Sequence, residues 1–381
     1  MKLQHFVRPF KAFRLLLAGD CEVLWHRPQP VEVVIWDEMG SQYILDALDF
    51  PSHHIIKIRK HAIYVHPLIV WQTLVSAFTR RNTHYGIVIK YCRPKTVVTR
   101  IDNNPSFHKL ASSLPDVRFV AIQNGRRRVF PDEEPAIGLP ARYDSEYLCF
   151  GQEEIDYFHA MGYQFKQIKV TGSLRNALFD QHLRDPAKRS HAIERRDIVL
   201  ISQFRPDVMA PIMDQALIGY VKIVVLLDRY LKSHPGLRVS VALTTSGDHP
   251  DHDAEKLFHQ QMLGKVVCLI PMSENSLSSY LAAEGSNVVL TASSTLGIEH
   301  LSRGRKALVG DSRLMHGFVD HRFAPDWILP SSEQEIFDDS MTKILDMHLK
   351  DFVSKNSQSI NYFMVAPHEN SLSEIKTHVL G

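Results

Sequence analysis

Residues 291–310 read TASSTLGIEHLSRGRKALVG, and they join one apolar run, ending at Thr291, to a second that starts near Lys306. Between the runs lie three small hydroxyl residues, Ser293, Ser294 and Thr295. A helix-forming segment follows from about Leu296 and is closed by Gly304. Strand, turn, helix and strand in that order is the unit of a parallel sheet. The first turn of such a helix carries backbone N–H groups with no intrahelical partner. Three hydroxyls beside them make a cradle for an anion such as a nucleotide phosphate. Glu299, about one turn into the helix, is placed to accept hydrogen bonds from ribose hydroxyls or a base. A plainer reading, in which Ser293 only caps the helix, stays open.

Outward from this stretch the same alternation recurs. The second half offers strands DIVLISQF (197–204), LRVSVALTT (237–245), KVVCLIP (265–271), NVVLTAS (287–293) and KALVGD (306–311), with a helix over about 211–232. The first half offers VEVVIW (31–36), HIIKI (54–58), KTVVTRI (95–101), RFVAIQ (118–123), EYLCFG (146–151) and IKVTG (168–172). Amphipathic segments SQYILDALDF, HPLIVWQTLVSAFTRR, PSFHKLASSL and EEIDYFHAMG lie between these strands. The polar stretch 176–196 separates the two series. The pattern predicts an α/β protein of two Rossmann-like, doubly wound domains, 1–175 and 197–381, joined by a linker at 176–196 and facing each other across a cleft.

Composition narrows the class. With 381 residues, 44% apolar and 23% charged, the chain can bury two cores. Lys and Arg number 44 against 42 Asp and Glu, so the net charge of +2 makes no demand for a nucleic-acid partner. Cys21, Cys92, Cys149 and Cys268 show no CxxC spacing, which argues against a zinc site or disulfide framework and for a reducing, cytoplasmic setting. No run approaches the roughly 20 apolar residues of a membrane span. The basic start is interrupted by Lys11 and Arg14, unlike a signal peptide. Its Phe6, Phe10, Phe13 and Leu17 form one helical face, which packs on the domain or rests on an anionic membrane.

In open parallel sheets, ligands bind beyond the carboxyl ends of the strands. That rule singles out Asp37 and Glu38, Asp102, Gln123 and Asn124 with Arg126, Arg127 and Arg128, then Ser202, Gln203 and Arg205, and Thr244 and Thr245. Two carboxylates from different strand ends can divide the work of nucleophile and acid/base. Asp102 has a plain alternative as an Asx turn capping the next helix, and the arginine triplet as a solvated run. No P-loop, GxGxxG or HExxH occurs, and DHPDHD (248–253) reads as a surface loop rather than a metal site.

Ser-Ser-Thr followed by Gly-x-Glu at 293–299 resembles the donor-site motif of bacterial surface-polysaccharide glycosyltransferases of the GT-B fold. These include capsule and lipopolysaccharide enzymes that use CMP-Kdo and teichoic-acid enzymes that use CDP-glycerol. EYLCFGQEEIDYFHAMGYQFKQIKVTGSLRN (146–176) resembles the end of their first lobe, and DIVLISQFR the opening of their second. WDEMGS, TRIDNN and AIQNG look closest to proteins related to the retaining β-Kdo transferases.

The resemblance implies a glycosyltransferase of surface-polysaccharide assembly. It would move a Kdo-like ulosonic sugar from a CMP-activated donor to a glycan or lipid-linked glycan acceptor, without cofactor or metal, in the cytoplasm or peripherally on the inner membrane. The first lobe would hold the acceptor and the catalytic groups: Asp102 as the carboxylate at the anomeric carbon, Glu38 or Asp37 as acid/base, and Gln123, Asn124 and Arg126 toward the acceptor. The second would hold the donor through Ser293, Ser294, Thr295, Glu299, Ser202, Gln203, Arg205 and Thr245. Arg205 or Arg175 would meet the phosphate or carboxylate, or serve as structural linker residues.

One departure matters. CMP-sugar enzymes often carry His-Pro directly after the strand preceding the Ser-rich motif. Here His249-Pro250 is displaced into a loop and Thr244 and Thr245 stand in its place, while His66-Pro67 reads as a helix start. Two alternatives therefore stand beside this reading: a CDP-polyol phosphotransferase and a non-catalytic nucleotide- or glycan-binding protein.

Overall fold

The computed structural model describes residues 22–50, 52–58, 63–79, 83–126, 142–186, 194–206, 215–264, 267–273, 277–310 and 325–381. The N-terminal segment with Phe6, Phe10, Phe13 and Leu17 lies outside them, as do Arg127 and Arg128.

The first half contains β1 (Val23–Leu24), β2 (Val33–Trp36), β3 (His53–Ile56), β4 (Ile63–Tyr64), β5 (Thr96–Thr99), β6 (Arg118–Ile122), β7 (Arg142–Cys149) and β8 (Gln164–Val170). Six of these form one parallel sheet in the order β3-β2-β5-β6-β7-β8, and β1 pairs with β4 beside it. Every residue of β2 and β5 is buried, as expected for strands covered on both faces by crossover helices. The helices of this half are α1 (Ser41–Leu48), α2 (Pro67–Thr79), α3 (His84–Cys92), α4 (Pro105–Ser113), α5 (Gln152–Ala160) and α6 (Leu174–Arg184). Capping is local and legible. Asn104 accepts from the Ser106 N–H at 2.9 Å with Pro105 opening α4, and Ser173 accepts from the Asn176 N–H at 3.3 Å. Helix α3 shows little polar face, since Gly86 to Ile89 are all buried, so its sequence lacks an amphipathic signature.

The second half repeats the plan with β9 (Arg196–Ile201), β10 (Val239–Ala242), β11 (Cys268–Ile270), β12 (Ser286–Thr291) and β13 (Ala307–Val309). They form a parallel sheet in the order β11-β10-β9-β12-β13. Its helices are α7 (Gln215–Ser233), α8 (His252–Leu263), α9 (Ser278–Glu284), α10 (Thr295–Ser302), α11 (Gln334–Asp346), α12 (Leu349–Phe363) and α13 (Ser371–Leu380). Strand order reverses between β2 and β5 in one sheet and between β9 and β12 in the other. In open parallel sheets, ligands bind outside the carboxyl ends of the strands at such reversals.

Two elements tie the halves together, and both depart from the sequence-based expectation. The polar stretch from 176 begins inside α6, where Leu174 joins the core of the first sheet and Phe179 joins that of the second. Its first residue is held rather than solvated: Asn176 is 1% exposed and donates to Ser302 Oγ at 2.8 Å. The last helix, α13, returns to the first sheet, where Ile375 and Val379 pack with Val33, Ile35 and Val98. On the way, the Val365 N–H donates to the Phe150 carbonyl at 3.0 Å. The α12 terminus passes so close to Gly151 that a Cβ there would lie 2.5 Å from the Tyr362 carbonyl oxygen.

Candidate functional site

At the switch point of the second sheet, Gln203 follows β9 and Ser293 follows β12, and one amide clasps the two ends. The Gln203 carbonyl oxygen accepts from the Ser293 N–H at 2.8 Å and from Thr291 Oγ1 at 3.3 Å. Its amide nitrogen donates to Ser293 Oγ at 2.7 Å. The Ser294 N–H donates to Thr291 Oγ1 at 3.0 Å, and Ser294 caps α10 by accepting from the Leu296 N–H at 3.4 Å. Ser293, Ser294 and Thr295 are half-buried, and the first turn of α10 carries no acidic residue. Ser294, not Ser293, is therefore the cap, and the N–H groups of Ser293, Ser294 and Leu296 are taken up inside the turn, so what the turn holds at this positive helix end is the half-buried hydroxyl run. Gly297 makes this possible, since a Cβ there would lie 2.5 Å from Thr291 Cγ2 and push α10 off the strand.

Ser202 and Thr245 have a different duty. They are 2% and 6% exposed, and both are bound by Glu255, a residue the sequence reading did not mark. Glu255 accepts from Ser202 Oγ at 2.5 Å, Thr244 N and Oγ1 at 2.9 and 3.0 Å, and Thr245 N and Oγ1 at 3.0 and 2.6 Å. One buried carboxylate thus fixes the loop after β10 against the end of β9. Arg205 is exposed.

In the first sheet the three expected carboxylates part company. Asp102 is 3% exposed. It accepts from the Asn124 N–H at 3.0 Å through Oδ1 and from the Tyr147 hydroxyl at 2.6 Å through Oδ2. Instead of presenting a bare oxygen to the cleft as a nucleophile would, it ties the ends of β5, β6 and β7. Asp37 is 2% exposed, sits at φ 77° and accepts from the Met39 N–H at 2.9 Å, which shapes the turn into α1. Glu38 is half-buried and accepts from the Ile58 N–H at 2.7 Å, so β2 and the loop after β3 are joined there. Gln123 is buried. It accepts from the Phe150 N–H at 2.7 Å and donates to Glu154 Oε1 at 2.8 Å. Arg126 lies 3.7 Å from Glu153 with its guanidinium 5.1 Å from the Phe363 ring centre, and its side chain is only 5% exposed. These two serve the packing of α5 and α12 rather than an acceptor surface, while Asn124 stays half-exposed at the strand end.

Glu299 also departs from its expected role. It is 3% exposed, accepts from Ser173 Oγ at 2.5 Å and from the Tyr280 hydroxyl, and thereby joins the cap of α6 to α9 and α10 rather than facing a ribose. Around it the seam between the halves is rich in cations. Arg303 bonds to the Asn176 side chain and lies over the Phe179 ring at 4.9 Å. Arg100, just past β5, lies over the Tyr43 ring at 4.4 Å. Arg175 lies over the same ring at 5.0 Å and over Tyr280 at 5.1 Å. Burial, then the nearby Arg175 charge, pull Arg100 down to about 10. Of this group the sequence singled out only Arg175 and Glu299; the Gly-Ser-x-Arg turn at 172–175 was the available signal.

No protein-family model matches the chain, and no curated protein sequence matches it. Solved structures do. A UDP-GlcNAc 2-epimerase of Methanocaldococcus jannaschii, in complex with UDP-GlcNAc and UDP, aligns with TM-score 0.54 and 12% identity, covering 92% of this chain and 99% of that one. The fold is GT-B. A UDP-N-acetylglucosamine 2-epimerase of Rickettsia bellii aligns with TM-score 0.53 and 14% identity over 93% of this chain and 96% of that one. A variant of the wall teichoic acid polymerase TagF aligns with TM-score 0.54 and 11% identity over 100% and 97%. At these identities the likeness is one of fold. Among the described residues, no helix is long and apolar enough to cross a membrane.

Proposed function

We propose that the chain is a nucleotide-sugar-dependent glycosyltransferase whose second lobe seats the nucleotide where β9 and β12 part, and whose first lobe receives the acceptor. The observation that carries this reading is the Gln203–Ser293 clasp, which holds an acid-free helix terminus and the Ser293, Ser294 and Thr295 hydroxyls at a topological switch point. The finer reading rests on the sequence resemblance over 146–176 and 287–310: the donor is a CMP-linked ulosonic acid, and the product belongs to a cell-surface polysaccharide. A second reading, transfer of a polyol phosphate from a CDP-linked donor, draws on the full-length alignment with TagF, whose variant also matches after a soak with CDPG at TM-score 0.53. Of the three carboxylates at the first sheet, Glu38 is the acid/base. It keeps exposed surface at the strand end, whereas Asp37 and Asp102 are buried and Asp102 positions Asn124.

Thermal melting of the chain titrated with CMP, CDP and UDP tests this, because a ligand that binds only the folded state raises the melting temperature according to its affinity. A CMP-selective rise is expected. Selectivity for CDP favours polyol-phosphate transfer, and no rise with any nucleotide removes the enzyme reading. Gln203→Ala should weaken the preferred nucleotide about tenfold, the effect of one or two lost hydrogen bonds. With the donor so identified, Glu38→Gln should lower turnover at least about a hundredfold while nucleotide affinity holds.

A further inference from the structure

Arg100, buried, and Arg175, half-buried, lack what guanidinium groups inside a protein ordinarily have. Arg100 is 6% exposed, yet among the described residues neither arginine makes a hydrogen bond or ion pair, and the Arg175 Nε is a buried donor without an acceptor. Their contacts are the faces of Tyr43 and Tyr280, which attract a cation but accept none of its N–H groups in the way an oxygen does. Burial and then the Arg175 charge lower Arg100, whereas Arg175 is held up against its own burial by Tyr280, Glu299 and Tyr43. A Cβ on Gly40, the residue before α1, would sit 3.1 Å from an Arg100 terminal nitrogen, so that guanidinium lies against the start of α1. Arg175 is itself in the first turn of α6, and neither helix has an acidic residue in its first turn. Glu299 is the nearby acid, but its two oxygens already accept from Ser173 and Tyr280.

Two neighbouring like charges, Arg100 buried and Arg175 half-buried with a buried Nε that has no acceptor, beside two positive helix ends, are suited to an oxyanion in place. We infer that Arg100 and Arg175 form the seat of an oxyanion of the substrate, a phosphoryl or a carboxylate group, at the seam between the two lobes. The assignment rests on the functional reading only for which substrate brings the anion: the nucleotide would bring a phosphoryl group, an acidic sugar a carboxylate. Because Arg100 belongs to the first sheet and Tyr280 and Glu299 to the second half, the same anion draws the two lobes together.

Melting of the full chain with inorganic pyrophosphate, with a free ulosonic acid and with CMP, in wild type and in the Arg100→Gln, Arg175→Gln double variant, tests the seat. Wild type should be stabilised by pyrophosphate if the anion is phosphoryl, or by the ulosonic acid if it is a carboxylate. The double variant should bind that anion at least about tenfold more weakly. Its melting without ligand is the baseline for that comparison, since it loses the contacts of both arginines with Tyr43 and of Arg175 with Tyr280 as well as the repulsion between them. Arg175→Lys, which keeps the charge and loses the fork, should fall between them, and it serves if the double variant does not fold. Wild-type melting unmoved by either anion, or anion binding undiminished in Arg175→Lys and the double variant, overturns the seat. If CMP still stabilises wild type in that case, the nucleotide reading stands without it. An arginine-dependent anion effect with no response to any nucleotide keeps the seat and removes the nucleotide reading.

Discussion

At Asp102 the local sequence and the packed sheet ask for different things. Followed by Asn103, Asn104 and Pro105 at a strand end, it has the form of a helix-capping turn or of a catalytic carboxylate. The structure shows that Asn104 does the capping, while Asp102 accepts from the Asn124 N–H and the Tyr147 hydroxyl and stays buried. An asparagine there keeps the shape and the bond from the Asn124 N–H, but its NH2 replaces the oxygen that accepts from Tyr147, so the buried Tyr147 O–H loses its acceptor. Asp102→Asn is therefore expected to cost about 1–3 kcal/mol of stability, read from the urea midpoint, the usual range when a buried donor loses its acceptor. Unchanged stability with abolished turnover would instead return Asp102 to the role of nucleophile.

Among elements, the loop between β10 and α8 depends on one residue of the helix that follows it. Glu255 is 0% exposed and collects five donors from Ser202, Thr244 and Thr245. Glu255→Ala would leave several of these buried without a partner. The expected loss is about 2–5 kcal/mol in denaturant unfolding, larger than for an exposed glutamate such as Glu374. A change below about 0.5 kcal/mol would mean that water or another group satisfies the loop. The sequence hid this hub because its partners straddle two strand ends, 10 and 53 residues away. Where an element's partners are local, as in the Ser173, Asn104 and Ser294 caps, the reading from sequence is direct.

For the whole molecule, buried histidines set the acid limit. His108, His259 and His300 are at most 3% exposed, and burial pushes all three below the usual 6.5, His300 well below with Arg303 and Arg305 adding to the effect. Their bonds fit the neutral ring. His259 Nδ1–H donates to the Glu255 carbonyl at 2.8 Å while Nε2 accepts from Tyr220 at 2.6 Å. A histidine whose folded pKa is lowered binds its proton more readily in the unfolded chain. Its contribution is complete above about pH 6.5 and is lost as pH falls from there toward the folded value, by up to about 1.4 kcal/mol per unit for each ring. Unfolding free energy should therefore fall steeply between pH 6.5 and 5, with His259→Gln flattening the slope. A profile level from pH 7.5 to 5 would contradict this.

The sequence by itself determined the two parallel sheets, because strands covered on both faces need unbroken apolar runs and the helices between them need caps, and both are properties of neighbouring residues. VVIW at β2 and VVLT ending β12 carry that information without reference to anything distant. Only the tertiary structure decided which strand-end side chains open to a ligand and which tie the scaffold. Asp102 and Tyr147 are 45 residues apart, Ser173 and Glu299 are 126 apart, and Arg100 meets Arg175 only because both lie over Tyr43. The return of α13 to the first sheet is of the same kind, since Ile375 and Val379 mark an apolar helical face but not which sheet will cover it. An apolar face has no intrinsic address, and a buried charge has a meaning only once the groups packed around it are known.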